Sequence, residues 1–553
     1  QGKGGDITLE AGNNINTTAA NIYSGANEGD TGQIDITADN AIETGKIDLA
    51  SGFVRQETKV NQNLVLIPKP GEPATKGKAG DIRLRSRNST IDTTDGTINS
   101  RSPDGTGDII INAKGNISTG KLEASALNEL TPTTGGDVNI TSEQGEINAT
   151  QNIETFSEKG TAGDVNITAA GHIHTNTIRS DGMEQGGDIN IRSDSENSIN
   201  AAGVLETYSE AGRAGNVNLT SPGSINIRSI RSEGMEQGGD ITLKSQGGEI
   251  NSTGDIDSYS KQGKGGYVKV DAPERVNLAN VSSYGMTESG DLITQSQQAE
   301  VNTGNVTTEA SEGKSGRIVI NGTEVGTGNL SSIAGTSAGE INVEATDGSI
   351  ATYDIEMTSG GTLGALTLRA PENINTGDIR QKAGEGDANA NIFSGGNQTT
   401  GNISQEADNN TNLNQTAGEN INAGDIKQNA GNNTSIYQNA GENINAGDIE
   451  QNAGNNTNLN QTAGENINTG DIEQNAGNDT NLNQTARGDI TTGDIYQNAG
   501  NDTNLNQTAR GDITTGNINQ KADNDTNLNQ AAGGQINTPA INQTFGNESI
   551  NIQ

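Results

Sequence analysis

The chain has 553 residues, a formal net charge of −38, and only 29% hydrophobic and 2% aromatic residues. A conventional globular core relies on large apolar side chains, so this composition excludes a set of ordinary domains packed in the usual way. The acidic balance also argues against nucleic acid as a partner, because phosphate binding requires clustered Lys and Arg. Low hydrophobicity with high net charge is typical of disorder, so any order must come from the regular spacing of the apolar residues.

The sequence also limits chemistry and compartment. It contains no Cys, so neither disulfides nor thiol chemistry is available. No run of about 18 apolar residues occurs, and we predict no membrane-spanning helix. The chain begins at Gln1 without a Met or a signal peptide, and we expect a fragment or a processed product.

Residues 1–370 carry a degenerate repeat, and each copy predicts one coil of a loose β-helix. Its signal is Gly-Asp-Ile/Val-x-Ile/Leu, and from Gly163 onward the spacings alternate near 24 and 27–28 residues. Apolar and polar residues alternate after each signal, which predicts strands with one face inward. The signal and its variants begin at Gly5, Gly80, Gly107, Gly136, Gly163, Gly187, Gly215, Gly239, Gly266, Gly290, Gly316 and Gly339.

One segment, at about residues 52–77, interrupts this rhythm. It contains the apolar run Leu64-Val65-Leu66-Ile67, which Pro68-Lys69-Pro70 follows directly, with Lys76 and Lys78 close behind. Its length predicts an excursion from the coil, either a protruding loop or a β-hairpin.

His172 and His174 are the only histidines of the chain. On a strand they would share a face, because successive side chains alternate. Two ligands fall short of a metal site, and no Cys or clear third ligand accompanies them. We therefore expect an exposed strand face here.

Residues 371–553 follow a strict repeat of 23 residues, which predicts a second β-helical region. One unit holds three short apolar segments around Ile449, Leu459 and Ile467, and Gly or Asn separates them. This pattern predicts a triangular coil, with Gly and Asn at the corners because both tolerate positive φ. We thus predict an all-β, parallel, three-sided β-helix with about 23–28 residues per coil throughout. The 23-residue repeat is anchored at Gly401, Gly424, Gly447, Gly470, Gly493, Gly516 and Pro539.

Two inward positions of this repeat are glutamines. In a parallel stack each amide lies about 4.8 Å above its equivalent, so the side chains can form hydrogen-bonded ladders. Buried polar groups are tolerated when paired in this way, and we interpret these residues as structural. The first ladder contains Gln405, Gln428, Gln451, Gln474, Gln497, Gln520 and Gln543, and the second contains Gln415, Gln438, Gln461, Gln484, Gln507, Gln530 and Gln553.

Acidic residues recur at one corner of the strict repeat, as Asp425, Asp448, Asp471 and Asp494. Like charges about 5 Å apart repel, and a hard cation that bridges them would relieve the repulsion. A calcium ladder is therefore one hypothesis, and solvated carboxylates screened by salt are the alternative.

The tripeptide Arg-Gly-Asp occurs twice, at Arg487-Gly488-Asp489 and Arg510-Gly511-Asp512. Other units have Ala-Gly-Glu at this corner, so corner chemistry and repeat duplication explain the tripeptide without an integrin-type receptor.

The coils of residues 1–370 resemble the filamentous haemagglutinin-type exoproteins, in particular their long cyanobacterial members. The resemblance rests on Gly-Gly-Asp-Ile-x-Ile, as at Gly186, and on Asn-Ile-Asn-Thr and Gly-Glu-Ile-Asn, as at Asn14 and Gly145. It implies a right-handed β-helix exported by two-partner secretion, although the secretion domain of that family is not recognisable in this chain.

The units of residues 371–553 resemble curlin repeats. Ile449, Gln451, the Gly454-Asn455 corner and Gln461 match that pattern. The corner comes one residue sooner than in curlin, and a third strand around Ile467 is added. The resemblance therefore implies Gln-laddered stacking and not a two-sided curli subunit.

These patterns predict a structural or adhesive fibre at the cell surface or in the extracellular matrix. Polymerisation end to end, or continuation into a longer fibre, is a further hypothesis. Surface polysaccharide is a candidate partner, and we expect no nucleic acid, no membrane span and no cofactor other than calcium.

Enzymatic function is not expected. The aspartates occur one per coil, and carboxylate pairs at a glycosidase-like spacing arise from stacking alone. A carbohydrate-binding or polysaccharide-cleaving β-helix is the alternative, against which the scarcity of aromatic residues argues. An ice-binding solenoid is a third option, but it would need a flat outward ladder of Thr, whereas Asn, Asp and Glu dominate the outward positions.

Overall fold

The computed structural model describes residues 4–26, 29–51, 55–60, 63–68, 77–128, 131–194, 198–546 and 551–552. The chain is all-β, and its parallel strands stack as a β-solenoid of about 21 turns with about 24 residues per turn. The predicted fold class is confirmed. Among the residues described, no helix is long and apolar enough to cross a membrane.

Three strands recur in each complete turn, and we name their stacks the first, second and third face. In one turn of the strict repeat the first face holds Asn456–Ala463, the second Ile467–Thr469 and the third Ile472–Ala476. Equivalent strands of successive turns pair in parallel, so Thr457 aligns with Thr480, 23 residues later. Residues one repeat length apart in the sequence therefore lie next to each other on adjacent strands.

The chain divides into two compact units, Gln1–Met286 and Thr287–Gln553. In the first unit, four long strands run through both the second and the third face. These are Ile91–Ser102, Ile117–Ala126, Ile199–Ser209 and Ile225–Gly234. The other first-unit strands are, on the first face, Ile7–Ala11, Ile34–Ala38, Ile82–Ser86, Ile109–Ala113, Val138–Ser142, Val165–Ala169, Ile189–Ser193, Val217–Ser221, Ile241–Ser245 and Val268–Ala272; on the second, Ile15–Thr17, Ile42–Thr44, Ile147–Ala149, Ile173–Thr175, Ile250–Ser252 and Val276–Leu278; on the third, Ile22–Ala26, Ile47–Ser51, Ile153–Ser157, Ile178–Gly182, Ile256–Ser260 and Val281–Gly285.

The second unit repeats the same three faces, and one extra parallel pair joins Ser337–Ala338 to Thr362–Leu363. Its strands are, on the first face, Leu292–Ser296, Ile318–Gly322, Ile341–Ala345, Leu366–Ala370, Ala388–Ser394, Asn410–Ala417, Asn433–Ala440, Asn456–Ala463, Thr480–Ala486, Thr503–Ala509, Thr526–Ala532 and Asn551–Ile552; on the second, Val301–Thr303, Val325–Thr327, Ile350–Ala351, Ile374–Asn375, Gln398–Thr400, Ile421–Ala423, Ile444–Ala446, Ile467–Thr469, Ile490–Thr492, Ile513–Thr515 and Ile536–Asn537; on the third, Val306–Ala310, Leu330–Ala334, Ile355–Ser359, Ile379–Ala383, Ile403–Ala407, Ile426–Ala430, Ile449–Ala453, Ile472–Ala476, Ile495–Ala499, Ile518–Ala522 and Ile541–Phe545.

The core consists of columns of small and β-branched side chains. Ile421, Ile444 and Ile467 stack in register on the second face and are fully buried. Each buried Ile stabilises the fold by about 1.5–3 kcal/mol relative to exposure, and its branched Cβ suits a pleated strand. Only one or two such residues are needed per strand, which explains how 29% hydrophobic residues suffice.

The corner glycines are required for a different reason from the one predicted. The glycines with positive φ in the described residues are Gly29, Gly77, Gly105 and Gly386. The glycines that recur at the corners of the strict region, such as Gly454 and Gly464, are not among them. There a Cβ added to Gly464 would collide with the carbonyl oxygen of Gly441 in the preceding turn. Close approach between turns, and not a left-handed backbone, selects glycine at this corner.

Within residues 52–77, the strands Arg55–Val60 and Asn63–Pro68 pair antiparallel and form a two-stranded sheet of their own. Residues 52–54, 61–62 and 69–76 lie outside the described part of the chain. The change from loose to strict repeats near residue 370 falls inside the second compact unit, and it stays a prediction as a domain boundary.

Candidate functional site

The glutamines of the third face form a continuous hydrogen-bonded ladder inside the second unit. Nε2 of Gln451 donates to Oε1 of Gln428 at 3.0 Å and to the backbone oxygen of Asn458 at 3.1 Å. Gln474 repeats both bonds, to Gln451 at 2.8 Å and to Asn481 at 3.1 Å. Each amide therefore bonds to the glutamine one turn earlier on the third face and to the first-face strand that follows it in the chain. The remaining rungs are Gln428 to Gln405, Gln497 to Gln474, Gln520 to Gln497 and Gln543 to Gln520.

The glutamines of the first face form a second ladder. Nε2 of Gln484 donates to Oε1 of Gln461 at 2.7 Å, and the hydroxyl of Thr492 donates to Oε1 of Gln484 at 3.3 Å. The predicted member Gln553 lies outside the described residues. The other rungs are Gln438 to Gln415, Gln461 to Gln438, Gln507 to Gln484 and Gln530 to Gln507.

Two buried glutamines were missed by the sequence analysis. Gln381 extends the third-face ladder by one turn, because it accepts from Gln405 at 2.7 Å. It lies 24 residues before Gln405, so a search at a period of 23 skips it. Gln398 on the second face donates to the backbone oxygen of Ile392 at 2.9 Å.

Asparagine ladders follow the outward positions, as the Gln/Asn-laddered repeat of residues 371–553 predicts. Nδ2 of Asn475 donates to Oδ1 of Asn452 at 3.0 Å, and Asn452 donates to Asn429 at 2.9 Å. In the first unit, Asn218 donates to Asn190 at 2.9 Å. The signal was the recurrence of Asn at fixed repeat positions.

The corner aspartates cap the backbone of the following turn. Oδ1 of Asp448 accepts from the amide of Asp471 at 2.8 Å, and Oδ1 of Asp471 accepts from the amide of Asp494 at 2.7 Å. Asp425 receives the amide of Asp448 at 3.0 Å in the same way. Asn402 fills the same position and accepts from the amide of Asp425 at 2.9 Å. The position therefore requires an acceptor oxygen, which Asp and Asn both provide.

No group of three or more His, Asp or Glu side chains suited to hold a metal is found in the described ranges. His174 is exposed on its strand, and Nδ1 of the exposed His172 accepts from the amide of Ser198 at 3.1 Å. The calcium ladder stays a prediction. One oxygen of each of its carboxylates already accepts a hydrogen bond from a backbone amide.

Both Arg-Gly-Asp tripeptides lie at the corner before the second face. Oδ1 of Asp489 accepts from the amide of Asp512 at 2.7 Å, and Oδ1 of Asp512 accepts from the amide of Gln535 at 2.7 Å. Arg487 and Arg510 are exposed. The aspartates thus have a structural partner at this corner.

In the first unit, the corner carboxylates are partly buried. Burial raises the pKa of Asp164, the neighbouring charge of Asp188 adds to this, and the amide of Asp188 that donates to Asp164 opposes it. Burial likewise raises the pKa of Asp137 and of Asp108. Burial of the carboxylate is the main cause of the raised pKa at all three positions, and the charge of a neighbouring aspartate adds to it.

No protein-family model matches the chain, and neither a curated protein nor a solved structure is similar to it. The resemblance to filamentous haemagglutinin-type exoproteins therefore rests on the coil motifs, and the β-solenoid fold is compatible with it. The geometry repeats the same hydrogen bonds in successive turns of the strict region. The third-face ladder extends from Gln381 to Gln543, and the first-face ladder extends from Gln415 to Gln530.

Proposed function

We propose that this protein is a structural and adhesive fibre of the cell surface or extracellular matrix. The observation that carries the proposal is the pair of glutamine ladders, which fasten each turn of the strict region to the one before it. Backbone pairing already joins the turns, and the ladders add side-chain bonds that lie in the core. An exported fibre needs cohesion along its length more than a shaped cleft.

Each added turn contributes the same set of bonds. A third-face glutamine such as Gln451 makes one bond to the glutamine of the preceding turn and one to the first-face strand that follows it. A first-face glutamine such as Gln461 makes one more bond to the preceding turn. At roughly 0.5–1.5 kcal/mol net per bond, these side chains stabilise each turn by a few kcal/mol. Stability is then spread along the solenoid as a sum of nearest-neighbour terms.

Polymerisation end to end, or continuation into a longer fibre, is part of the proposal. Because the interface between turns is the same in every strict repeat, a turn from a second copy can present a matching register. Export to the cell surface and a filamentous haemagglutinin-type origin belong to the proposal as well, and the coil motifs support them.

Cryo-electron microscopy of the protein as isolated from the cell surface tests this function. Continuous filaments, with turns that run unbroken from one copy to the next, are the expected result. Particles of a single chain, unattached to any larger molecule, would count against it. Particles joined to a larger molecule would make the chain the shaft of an adhesin, which retains the structural role and rejects polymerisation.

Calcium is the proposed cation of the corner acids. Equilibrium dialysis at millimolar calcium measures this directly, with magnesium as the control for a general charge effect. Saturable uptake of calcium by the wild-type chain, reduced when Asp448 and Asp471 are changed to Asn, supports the ladder. Absence of uptake rejects it.

A further inference from the structure

Two surface cavities, one in each compact unit, share the same chemistry. The first has a volume of about 270 Å³ and is lined by Phe156, Leu127, Glu123, Arg179 and Asp181. The second has a volume of about 610 Å³, and its lining includes Phe393, Pro371, Arg369 and Glu344. Each combines a phenylalanine with an arginine and with at least one carboxylate. Two of the four phenylalanines of the chain are used in this way.

The first cavity lies on the third face, where the register of three successive strands aligns the residues that line it. Ser125, Phe156 and Asp181 align on three successive turns and point outward in one column. Ser125 is short, and it lines this cavity together with the phenylalanine of the next turn. Leu127, just beyond the end of the strand, adds apolar surface to the same space.

The charged groups around this cavity are held in place by ion pairs. Lys121 lies 2.7 Å from Glu154 and 3.1 Å from Glu123. Arg179 pairs with Asp181 at 2.9 Å. The carboxylates are thus oriented and locally neutralised, so the rim offers fixed hydrogen-bond acceptors and donors without a strong net charge.

In the second cavity, Glu344, Arg369 and Phe393 align on three successive turns of the first face. The strands Ile341–Ala345, Leu366–Ala370 and Ala388–Ser394 carry them. Pro371 follows the middle strand and contributes a rigid apolar wall. The same three kinds of side chain therefore come together on a different face and in a different unit.

We propose that these two cavities bind neutral sugar residues of a polysaccharide. A pyranose ring has a face of C–H groups that packs on an aromatic ring, and its hydroxyls pair with fixed carboxylates and guanidinium groups. An anionic polymer is disfavoured, because the chain carries a net charge of −38. This inference specifies the adhesive part of the proposed function, while the fibre part does not depend on it.

Saturation-transfer NMR of the full chain tests the proposal, with cellohexaose, chitohexaose and mannohexaose as probes at millimolar concentration. The variants are Phe156→Ala, Phe393→Ala and the double variant. The control is Tyr353→Ala, because Tyr353 is 71% exposed and lines neither cavity. All three side chains point away from the core, and circular dichroism checks that the fold is retained.

We expect at least one neutral hexasaccharide to bind the wild type and the Tyr353→Ala variant. Each single Phe variant should weaken binding several-fold, and the double variant should abolish it. Three results would overturn the proposal: binding that survives in the double variant, binding of polygalacturonate in place of the neutral probes, or no binding of any probe. Filaments seen in micrographs of the double variant would show that fibre formation and sugar binding are separate.

Discussion

At the residue scale, a column of buried threonines in the strict region has hydroxyls without partners. Thr434, Thr457 and Thr480 align on the first face, each is fully buried, and the hydroxyl of each lacks a hydrogen-bond partner. A buried polar group that makes no bond costs free energy, typically about 1–3 kcal/mol. The threonine hydroxyl therefore opposes folding here, although its shape fills the site.

We predict that Thr457→Val stabilises the protein by about 1 kcal/mol, because valine has the same shape without the buried hydroxyl. Guanidinium unfolding followed by circular dichroism measures the shift. The matched control is Thr492→Val, whose hydroxyl donates to Gln484 and whose loss should destabilise. If both variants destabilise equally, the Thr457 hydroxyl has a partner in solution.

The corner aspartates permit a second matched test. Asp471→Asn keeps the oxygen that accepts the amide of Asp494 and removes one of four stacked charges, so it should unfold at the same or a higher guanidinium concentration. Asp471→Ala leaves the amide without its acceptor and should unfold at a lower concentration. Equal destabilisation by both variants, abolished by a chelator, would show that the charge itself is needed to bind a cation.

The sequence predicted the glutamine ladders because a constant period of 23 residues can only stack like residues on like. It did not distinguish two roles of corner glycine, since positive φ and close backbone approach both select the same residue. The role of Asp was also readable in principle. Asn402 and Asn517 occupy the corner position of Asp425 and Asp494, and this exchange indicates an acceptor more than a charge.

At the element scale, a ladder differs from a set of independent bonds because a central rung serves two neighbours. Gln451 donates to Gln428 and accepts from Gln474. Gln381, by contrast, accepts from Gln405 and has Met357 on its other side, with Nε2 3.5 Å from the sulfur. Loss of a central rung therefore orphans more buried groups than loss of the first rung.

We predict that Gln451→Met destabilises by about 2–4 kcal/mol, since it leaves polar groups of Gln428, Gln474 and Asn458 unpaired. Gln381→Met, the control of equal shape, should cost less, because it leaves only Gln405 and the backbone oxygen of Asn389 without this partner. Met357 already occupies the equivalent position in the preceding turn. Guanidinium midpoints of the two variants provide the comparison. Equal losses would mean that the rungs act independently and that the ladder adds no cooperativity.

At the scale of the whole molecule, the fold followed from the sequence more completely than the candidate site did. Period-two alternation and repeat length fixed the parallel solenoid, because only stacked turns bury an apolar column from so few apolar residues. The cavities at Phe156 and Phe393 were not predicted. Each depends on which outward residues of three consecutive turns share a column, and the loose repeats vary by several residues per coil.

The partly buried corner carboxylates of the first unit predict an unusual pH dependence of stability. Burial raises the pKa of Asp137, Asp164 and Asp240 above the ordinary value of 3.8. Between that value and the raised one, the folded chain binds more protons than the unfolded chain, so the free energy of unfolding increases as pH falls through this window. Their contribution is lost as pH rises above the raised value.

The pKa values of two glutamates are shifted in the opposite direction. Burial alone would raise the pKa of Glu123, but Arg101 and Lys121 outweigh it and lower the pKa, and hydrogen bonding from Lys427 lowers that of Glu450. These two carboxylates stabilise the folded state when they are ionised, and that stabilisation is lost as the pH falls through their lowered pKa values. In the described part of the chain, more carboxylates have a raised pKa than a lowered one. Protonation also reduces the net charge of −38, so we expect the folded state to be more stable at acid pH.

We therefore predict a higher midpoint of thermal unfolding at about pH 4.5 than at about pH 7, opposite to proteins whose carboxylates are mostly ion-paired. The double variant Asp137→Asn with Asp164→Asn keeps both amide acceptors and cannot titrate there. It should show a smaller difference between the two pH values and a higher midpoint at neutral pH than the wild type. A wild-type midpoint that falls on acidification would show that the ion pairs of Glu123 and Glu450 dominate, and that the stacked corner acids are relieved by bound cations already at neutral pH.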